Sequence, residues 1–144
     1  MPLDIVIWNE TCDEVPQLSD ISTSLKWPGG EDPVVAGLLA SLELISRPRS
    51  WCKFRQQTRR WYGPFRVIKW CSSGALSERI KNPLIRSMAE ADLNHAVRRQ
   101  NLHGISSIIE YNDRPATTHA DLMAVWADGI AFARANASYR ERFY

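Results

Sequence analysis

Residues 65–76 read FRVIKWCSSGAL, and this stretch decides the fold. Its first half is rich in the aromatic and β-branched residues that favour strands, whereas apolar residues recur at helical spacing from Ser72 onward. Residues 50–55, which read SWCKFR, form another aromatic and basic run earlier in the chain. The sequence therefore predicts an antiparallel hairpin whose second strand leads directly into a helix.

The connection between these two runs is predicted to be the exposed part of the hairpin. Nine residues separate the runs at 50–55 and 65–70, and Tyr62-Gly63-Pro64 lies among them. We expect a connection longer than a tight two-residue turn, with a basic and aromatic tip formed by Arg59, Arg60, Trp61 and Tyr62.

Helical spacing predicts most of the remaining chain to be helical. Asp32 suits the N-cap and Pro33 the first position of a helix that Pro48 ends near Ser46. Further helical segments are expected at 74–80, at 84–102 with Gly104 as the C-terminal cap, and as one turn near 105–109, followed by a turn at 112–115. Thr118 and Asp121 have the spacing of a capping box for the last helix, whose buried stripe includes Trp126.

Length and composition indicate one soluble domain. The chain has 144 residues, of which 44% are hydrophobic and 24% charged. We expect a mainly helical α+β domain at residues 33–138 with a small antiparallel hairpin, an N-terminal strand and acidic arm at 1–32, and a polar-aromatic tail at 139–144. The absence of a long apolar run and of a basic N-terminus predicts a cytoplasmic protein with no membrane partner.

Charge is divided sharply along the chain. Residues 1–43 contain eight acids and one base, whereas residues 44–70 contain eight bases and no acid. Either the two segments fold against each other, or the basic segment meets an anionic partner. The second interpretation places partner binding on the hairpin and the N-terminal arm, with the following candidate residues on the hairpin: Arg55, Arg59, Arg60, Trp61, Tyr62 and Arg66. Tryptophan, tyrosine and arginine are enriched at protein interfaces. A protein partner is favoured over nucleic acid because no nucleic-acid-binding signature accompanies the bases.

Catalysis is the alternative function. Cys71 is predicted at a helix N-terminus, where the dipole stabilises a thiolate, and it would need His95, His103 or His119 as a base. The competing interpretation is that Cys71 packs as a small buried residue, with Gly74 allowing a close approach. The Asn112-Asp113 pair with Thr117, Thr118 and His119 is better explained by turn and cap hydrogen bonds than by catalysis. No metal-ligand spacing or phosphate-binding loop is present, so no metal or cofactor is expected.

Three short motifs carry a resemblance to a known family. They are Cys71-Ser72-Ser73-Gly74-Ala75-Leu76, Tyr111-Asn112-Asp113, and Thr117-Thr118 before an amphipathic helix. Over about residues 33–135 the chain resembles a small uncharacterised family of bacterial and phage proteins, although that family usually has Trp at the place of Tyr111 and a Gly before the Thr. The family implies no activity. Its phage association implies an accessory protein, such as an inhibitor of a host defence complex.

Overall fold

The computed structural model describes residues 30–62 and 65–141, with the backbone alone for residues 60–62 and 65–67. Its helices, strands and one 3-10 turn are α1 Pro33–Ile45, the 3-10 turn Pro48–Ser50, β1 Gln57–Tyr62, β2 Phe65–Trp70, α2 Ser72–Arg79, α3 Pro83–Arg98, α4 Ile108–Asp113 and α5 His119–Glu141. The predicted α+β class, mainly helical with one antiparallel hairpin, is confirmed. The expected N-terminal strand and the rest of residues 1–29 lie outside the described part.

Helix α1 begins and ends where its sequence predicts. Pro33 occupies the first helical position and the helix ends at Ile45, before Pro48. Asp32 is the N-cap residue, but its side chain makes no capping hydrogen bond. The carboxylate instead pairs with the guanidinium of Arg140, so an ion pair takes the place of the expected cap.

Helices α2 and α3 each begin after a residue whose side chain caps the helix, whereas α3 ends before its predicted cap. Cys71 caps α2, and the Asn82 side chain caps α3 by accepting hydrogen bonds from two backbone amides of its first turn. Helix α3 ends at Arg98, earlier than expected, so Gly104 is not its cap. Asn101 instead adopts the left-handed conformation, at φ 54°, shortly after the helix ends.

The capping box of α5 is confirmed. The Thr118 hydroxyl accepts from the Asp121 amide at 3.1 Å, and the Asp121 carboxylate accepts from the Thr118 amide at 3.0 Å. These hydrogen bonds lower the pKa of Asp121. Helix α5 then continues to Glu141, so the predicted tail at 139–144 is helical at its start. The turn expected at 112–115 is also partly helical, because α4 extends to Asp113.

The core lies between α1, α3 and α5, with α2 and β2 closing one side. Most of its buried apolar side chains lie on the helices. Trp126 is the largest fully buried side chain, as its position in the stripe of α5 predicts. Strand β2 contributes Ile68 and Trp70 to the same cluster, so the hairpin is anchored to the helices through its second strand.

A buried ionic cluster joins the end of α5 to the start of α1. Arg140 pairs with Asp32, lies 3.6 Å from Asp92, and donates to the Ala133 carbonyl at 2.8 Å. Burial raises the pKa of Asp92 to about 6, because loss of hydration outweighs the attraction of Arg140. The last turns of α5 are therefore held at the point where residues 1–29 join the domain.

We expect Trp126→Ala to lower the free energy of unfolding by about 3–5 kcal/mol, because it removes a fully buried indole and leaves a cavity. It also removes the hydrogen bond from Trp126 Nε1 to Ser72 Oγ. Urea unfolding measures the change, and Tyr139→Ala, which truncates a side chain that is 63% exposed on the same helix, is the control. Equal stability of the two variants would contradict the core described above.

Candidate functional site: a pinned loop beside the basic hairpin

The hairpin forms, but its first strand is not the predicted one. Strand β1 is Gln57–Tyr62 rather than residues 50–55, and it pairs antiparallel with β2, Phe65–Trp70. Tyr62 pairs with Phe65, so only Gly63 and Pro64 connect the strands. The expectation of a long connection is therefore wrong, and Arg59, Arg60, Trp61 and Tyr62 belong to a strand instead of a loop tip.

Residues 51–56, which we call the Phe54 loop, are not part of β1, because contacts with other parts of the fold hold them. Trp51 bridges Trp70 in the parallel direction, and the Cys52 amide donates to the Trp70 carbonyl at 2.9 Å. Beyond that point the loop makes hydrogen bonds with the side chains of Asn112 and Asp113. These long-range contacts replace the pairing with β2 that the alternation of residues suggests.

The side chains of Asn112 and Asp113 make hydrogen bonds with three residues of the Phe54 loop. Asn112 Oδ1 accepts from Trp51 Nε1 at 2.8 Å, and Asn112 Nδ2 donates to the Cys52 carbonyl at 3.2 Å. Asp113 Oδ1 accepts from the Phe54 amide at 2.7 Å and from Asn112 Nδ2 at 2.9 Å. The two side chains thus fix the backbone on both sides of Lys53.

Asn112 also connects the loop to the core. Its Oδ1 accepts from the Ser72 amide and from the Ser72 hydroxyl, both at 3.0 Å. The same hydroxyl accepts from Trp126 Nε1 at 3.1 Å. One buried carboxamide therefore links the Phe54 loop, the first turn of α2 and the centre of α5.

Lys53 fixes the loop from its other side. Its ammonium group donates to the carbonyls of Arg114, Pro115 and Thr117, at 2.7, 3.3 and 2.9 Å, and lies 5.3 Å from the centre of the Trp51 ring. One of the eight bases of the basic segment therefore has an internal role, since carbonyl groups between α4 and α5 receive its hydrogen bonds.

Phe54 is both conformationally strained and exposed. Its φ is 66°, a left-handed value that costs a bulky residue on the order of 1–3 kcal/mol. Its side chain is nevertheless 73% exposed to solvent. Reasoning from sequence did not single out Phe54, because phenylalanine carries no signal for positive φ. The hydrogen bonds of the loop therefore hold Phe54 in a backbone conformation that phenylalanine disfavours, with its ring exposed to solvent.

The predicted partner-binding residues fall on and beside this loop. Arg55 is exposed within it, and Arg59 is exposed on β1, where its Nε donates to Gln57 Oε1 at 3.1 Å. The other four candidates lie in the two strands, at backbone positions that pair Arg60 with Val67, Trp61 with Arg66 and Tyr62 with Phe65. Their side chains lie outside the described part.

The contacts of the alternative catalytic residues are with other groups of the fold. Cys71 is buried, and its Sγ accepts from the Gly74 amide at 3.3 Å. Burial raises the pKa of Cys71 because desolvation outweighs the hydrogen bonds that its thiol accepts at the start of α2. His119 Nε2 lies 2.7 Å from the Ile45 carbonyl, His95 stacks on Phe132, and His103 is exposed.

Within residues 30–62 and 65–141, no cluster of three or more His, Cys, Asp or Glu side chains could hold a metal ion. In the same part of the chain, every helix is too short or too polar to cross a membrane. Comparisons with protein-family models, with curated proteins and with solved structures found no match.

Gly74 lets α2 approach the end of the Phe54 loop. A Cβ atom at this position would lie 1.9 Å from the backbone carbonyl oxygen of Gln56. The same carbonyl accepts from the Cys71 amide at 3.2 Å. Since the obstructing atom belongs to the backbone, a side chain at position 74 would displace the loop from the start of α2.

We expect Gly74→Ala to destabilise the fold by about 1–3 kcal/mol, the usual cost of overpacking a closely packed position. Gly30→Ala adds the same methyl group where no other part of the described structure lies within 4 Å, apart from the neighbouring residues of the chain, and it is the matched control. Thermal unfolding of both variants measures the difference. A Gly74→Ala protein as stable as Gly30→Ala would show that the loop is not packed against α2.

Proposed function

We propose that this protein is a non-catalytic binding protein that contacts an acidic protein partner through the Phe54 loop and the basic hairpin. The observation that supports the proposal is an exposed, strained Phe54 on a backbone fixed by Asn112, Asp113 and Lys53. Strain of this kind persists where the surrounding structure imposes it, and it concentrates at functional positions.

A fixed loop favours binding because little conformational entropy is lost when a partner arrives. The backbone around Phe54 is held by hydrogen bonds to α4 and to the segment after it. The aromatic ring itself stays exposed. An aromatic side chain with arginines nearby is the composition of an interface hot spot.

The arginines set the charge of the partner. Arg55 is exposed next to Phe54 in the chain, Arg59 is exposed on β1, and residues 44–70 contain no acid. Lys53 is engaged with carbonyl groups, so it supplies no cation to a bound molecule. These features support an acidic protein surface with an apolar contact for Phe54. Nucleic acid is the competing partner class, and a steep dependence of affinity on salt would reveal it.

The N-terminal arm, which the sequence also assigns to partner binding, is mostly acidic and would repel an acidic partner, so we confine the proposed interface to the Phe54 loop and the hairpin. An accessory role in a phage or mobile element, directed against a host defence complex, is supported by the family resemblance of residues 33–135. The geometry of the Phe54 loop supports binding to a protein partner. The experiment below identifies that partner.

We expect a variant with Arg59→Ala, Arg60→Ala and Trp61→Ala to lose at least about tenfold in affinity, since truncated hot-spot residues commonly cost more than 1 kcal/mol each. A protein captured from producing cells with the wild-type chain would be identified and purified. Its affinity for each variant would then be measured by calorimetry at two salt concentrations. Phe54→Ala tests the loop in the same way.

Arg98→Ala with Arg99→Ala is the matched control, because both side chains are exposed at the end of α3 and their removal changes charge similarly. A fluorescent oligothymidine is measured in parallel to test the nucleic-acid alternative. Wild-type affinity of the triple variant for the captured protein at both salt concentrations would remove the hairpin from the proposed interface. Tight, salt-sensitive oligothymidine binding would change the partner class.

A further inference from the structure

We propose that the acidic N-terminal segment of the same chain, residues 1–29, occupies the Phe54 loop and the adjoining face of the hairpin when no partner is bound. The inference rests on the proposed function, because it uses the same surface and names the chemistry of its occupant. It makes the segment an intramolecular competitor of the partner.

Charge complementarity is the first argument. Residues 1–29 contain five acids and one base: the acids are Asp4, Glu10, Asp13, Glu14 and Asp20, and the base is Lys26. The Phe54 loop exposes Arg55 and β1 exposes Arg59, and residues 44–70 contain no acid, although the Asp113 carboxylate accepts a hydrogen bond from the Phe54 amide. Segments of opposite charge on one chain have a high effective concentration for each other, so pairing within the molecule is favoured over pairing between molecules.

The exposed aromatic ring gives a second, apolar argument. Phe54 is 73% exposed, and covering an aromatic ring removes apolar surface from water. Residues 3–8, LDIVIW, are the most apolar stretch of the acidic segment. A segment that combines acids with apolar side chains matches both halves of the surface, the arginines and Phe54.

The length of the segment permits the contact. The segment joins the domain at Gly30, next to the start of α1. The Phe54 loop lies near the other end of α1, because Trp51 is in ring contact with His119 and His119 Nε2 lies 2.7 Å from the Ile45 carbonyl. Helix α1 has 13 residues and is about 20 Å long. Twenty-nine residues can extend to about 100 Å, so the segment reaches the loop with chain to spare.

Cys12 supplies a natural position for a probe of this contact. It lies in the acidic segment, between Glu10 and Asp13. Burial raises the pKa of Cys52 to about 11 and also raises that of Cys71, so both thiols react slowly at neutral pH. A nitroxide reagent should therefore modify Cys12 selectively, and mass spectrometry verifies a single adduct at that residue.

The experiment measures paramagnetic relaxation in the full-length, isotope-labelled protein carrying the nitroxide on Cys12. We expect the amide signals of Phe54, Arg55 and Arg59 to lose most of their intensity, with recovery after reduction of the nitroxide. Arg98 and Arg99, exposed at the end of α3, should keep more of their intensity. Unchanged signals at Phe54 and Arg55, or equal losses at all exposed amides, would overturn the inference.

Variants separate the two arguments. Arg55→Glu with Arg59→Glu should restore most of the lost intensity, whereas the charge-matched Arg98→Glu with Arg99→Glu should not. Phe54→Gly keeps the left-handed backbone without strain and removes the ring, and it should restore part of the intensity. Relaxation that appears only when nitroxide-labelled and isotope-labelled chains are mixed would assign the contact to a second copy and contradict the intramolecular form.

This outcome is independent of the partner measurement. If the segment does not approach Phe54 but the triple hairpin variant loses partner affinity, the proposed function stands and the inference fails. If the segment approaches Phe54 but the hairpin and Phe54 variants bind the partner normally, the proposed function fails instead. If the inference is correct, replacing the five acids by their amides should raise partner affinity at low salt. Unchanged affinity in that variant would contradict competition.

Discussion

The carboxamide of Asn112 is the contact on which the rest of the arrangement depends. Its oxygen accepts hydrogen bonds from Trp51 and from two groups of Ser72, and its nitrogen donates to Cys52 and Asp113. The side chain is buried, so each broken hydrogen bond would leave a polar group without water. A carboxamide supplies an acceptor oxygen and two N–H donors at one position, a combination that neither leucine nor an ionised aspartate provides.

This network explains how a strained loop can persist on the surface. The left-handed Phe54 would relax if its backbone were free, but its amide is held by Asp113 and its neighbour Lys53 is held by three carbonyls. The rigidity comes from the core, because Asn112 shares Ser72 with the buried Trp126. A second buried cluster, Arg140 with Asp32 and Asp92, fixes the opposite end of the domain, where the acidic segment begins.

Features set by neighbouring residues could be predicted from the sequence. The start of α1 at Pro33, the capping box at Thr118 and the burial of Trp126 all follow from local spacing. The first strand of the hairpin could not, because Asn112 and Asp113, some sixty residues away, divert the Phe54 loop from the sheet. The side-chain role of Asp32 was missed for the same reason, since its partner Arg140 lies at the far end of the chain. The basic residues were visible in the sequence, whereas the exposed ring of Phe54 and the internal role of Lys53 required the fold.

The most direct test of this account compares the free energies of unfolding of Asn112→Asp and Asn94→Asp in urea at neutral pH. Asn94 uses its oxygen as an acceptor for the Ile108 amide, so a carboxylate can replace it with little change. Asn112→Asp keeps the acceptor but loses both donors and places a carboxylate beside Asp113. The account predicts a loss of at least about 2 kcal/mol for Asn112→Asp alone, from unsatisfied buried groups. Equal, small effects of the two substitutions would contradict the central role of the Asn112 carboxamide.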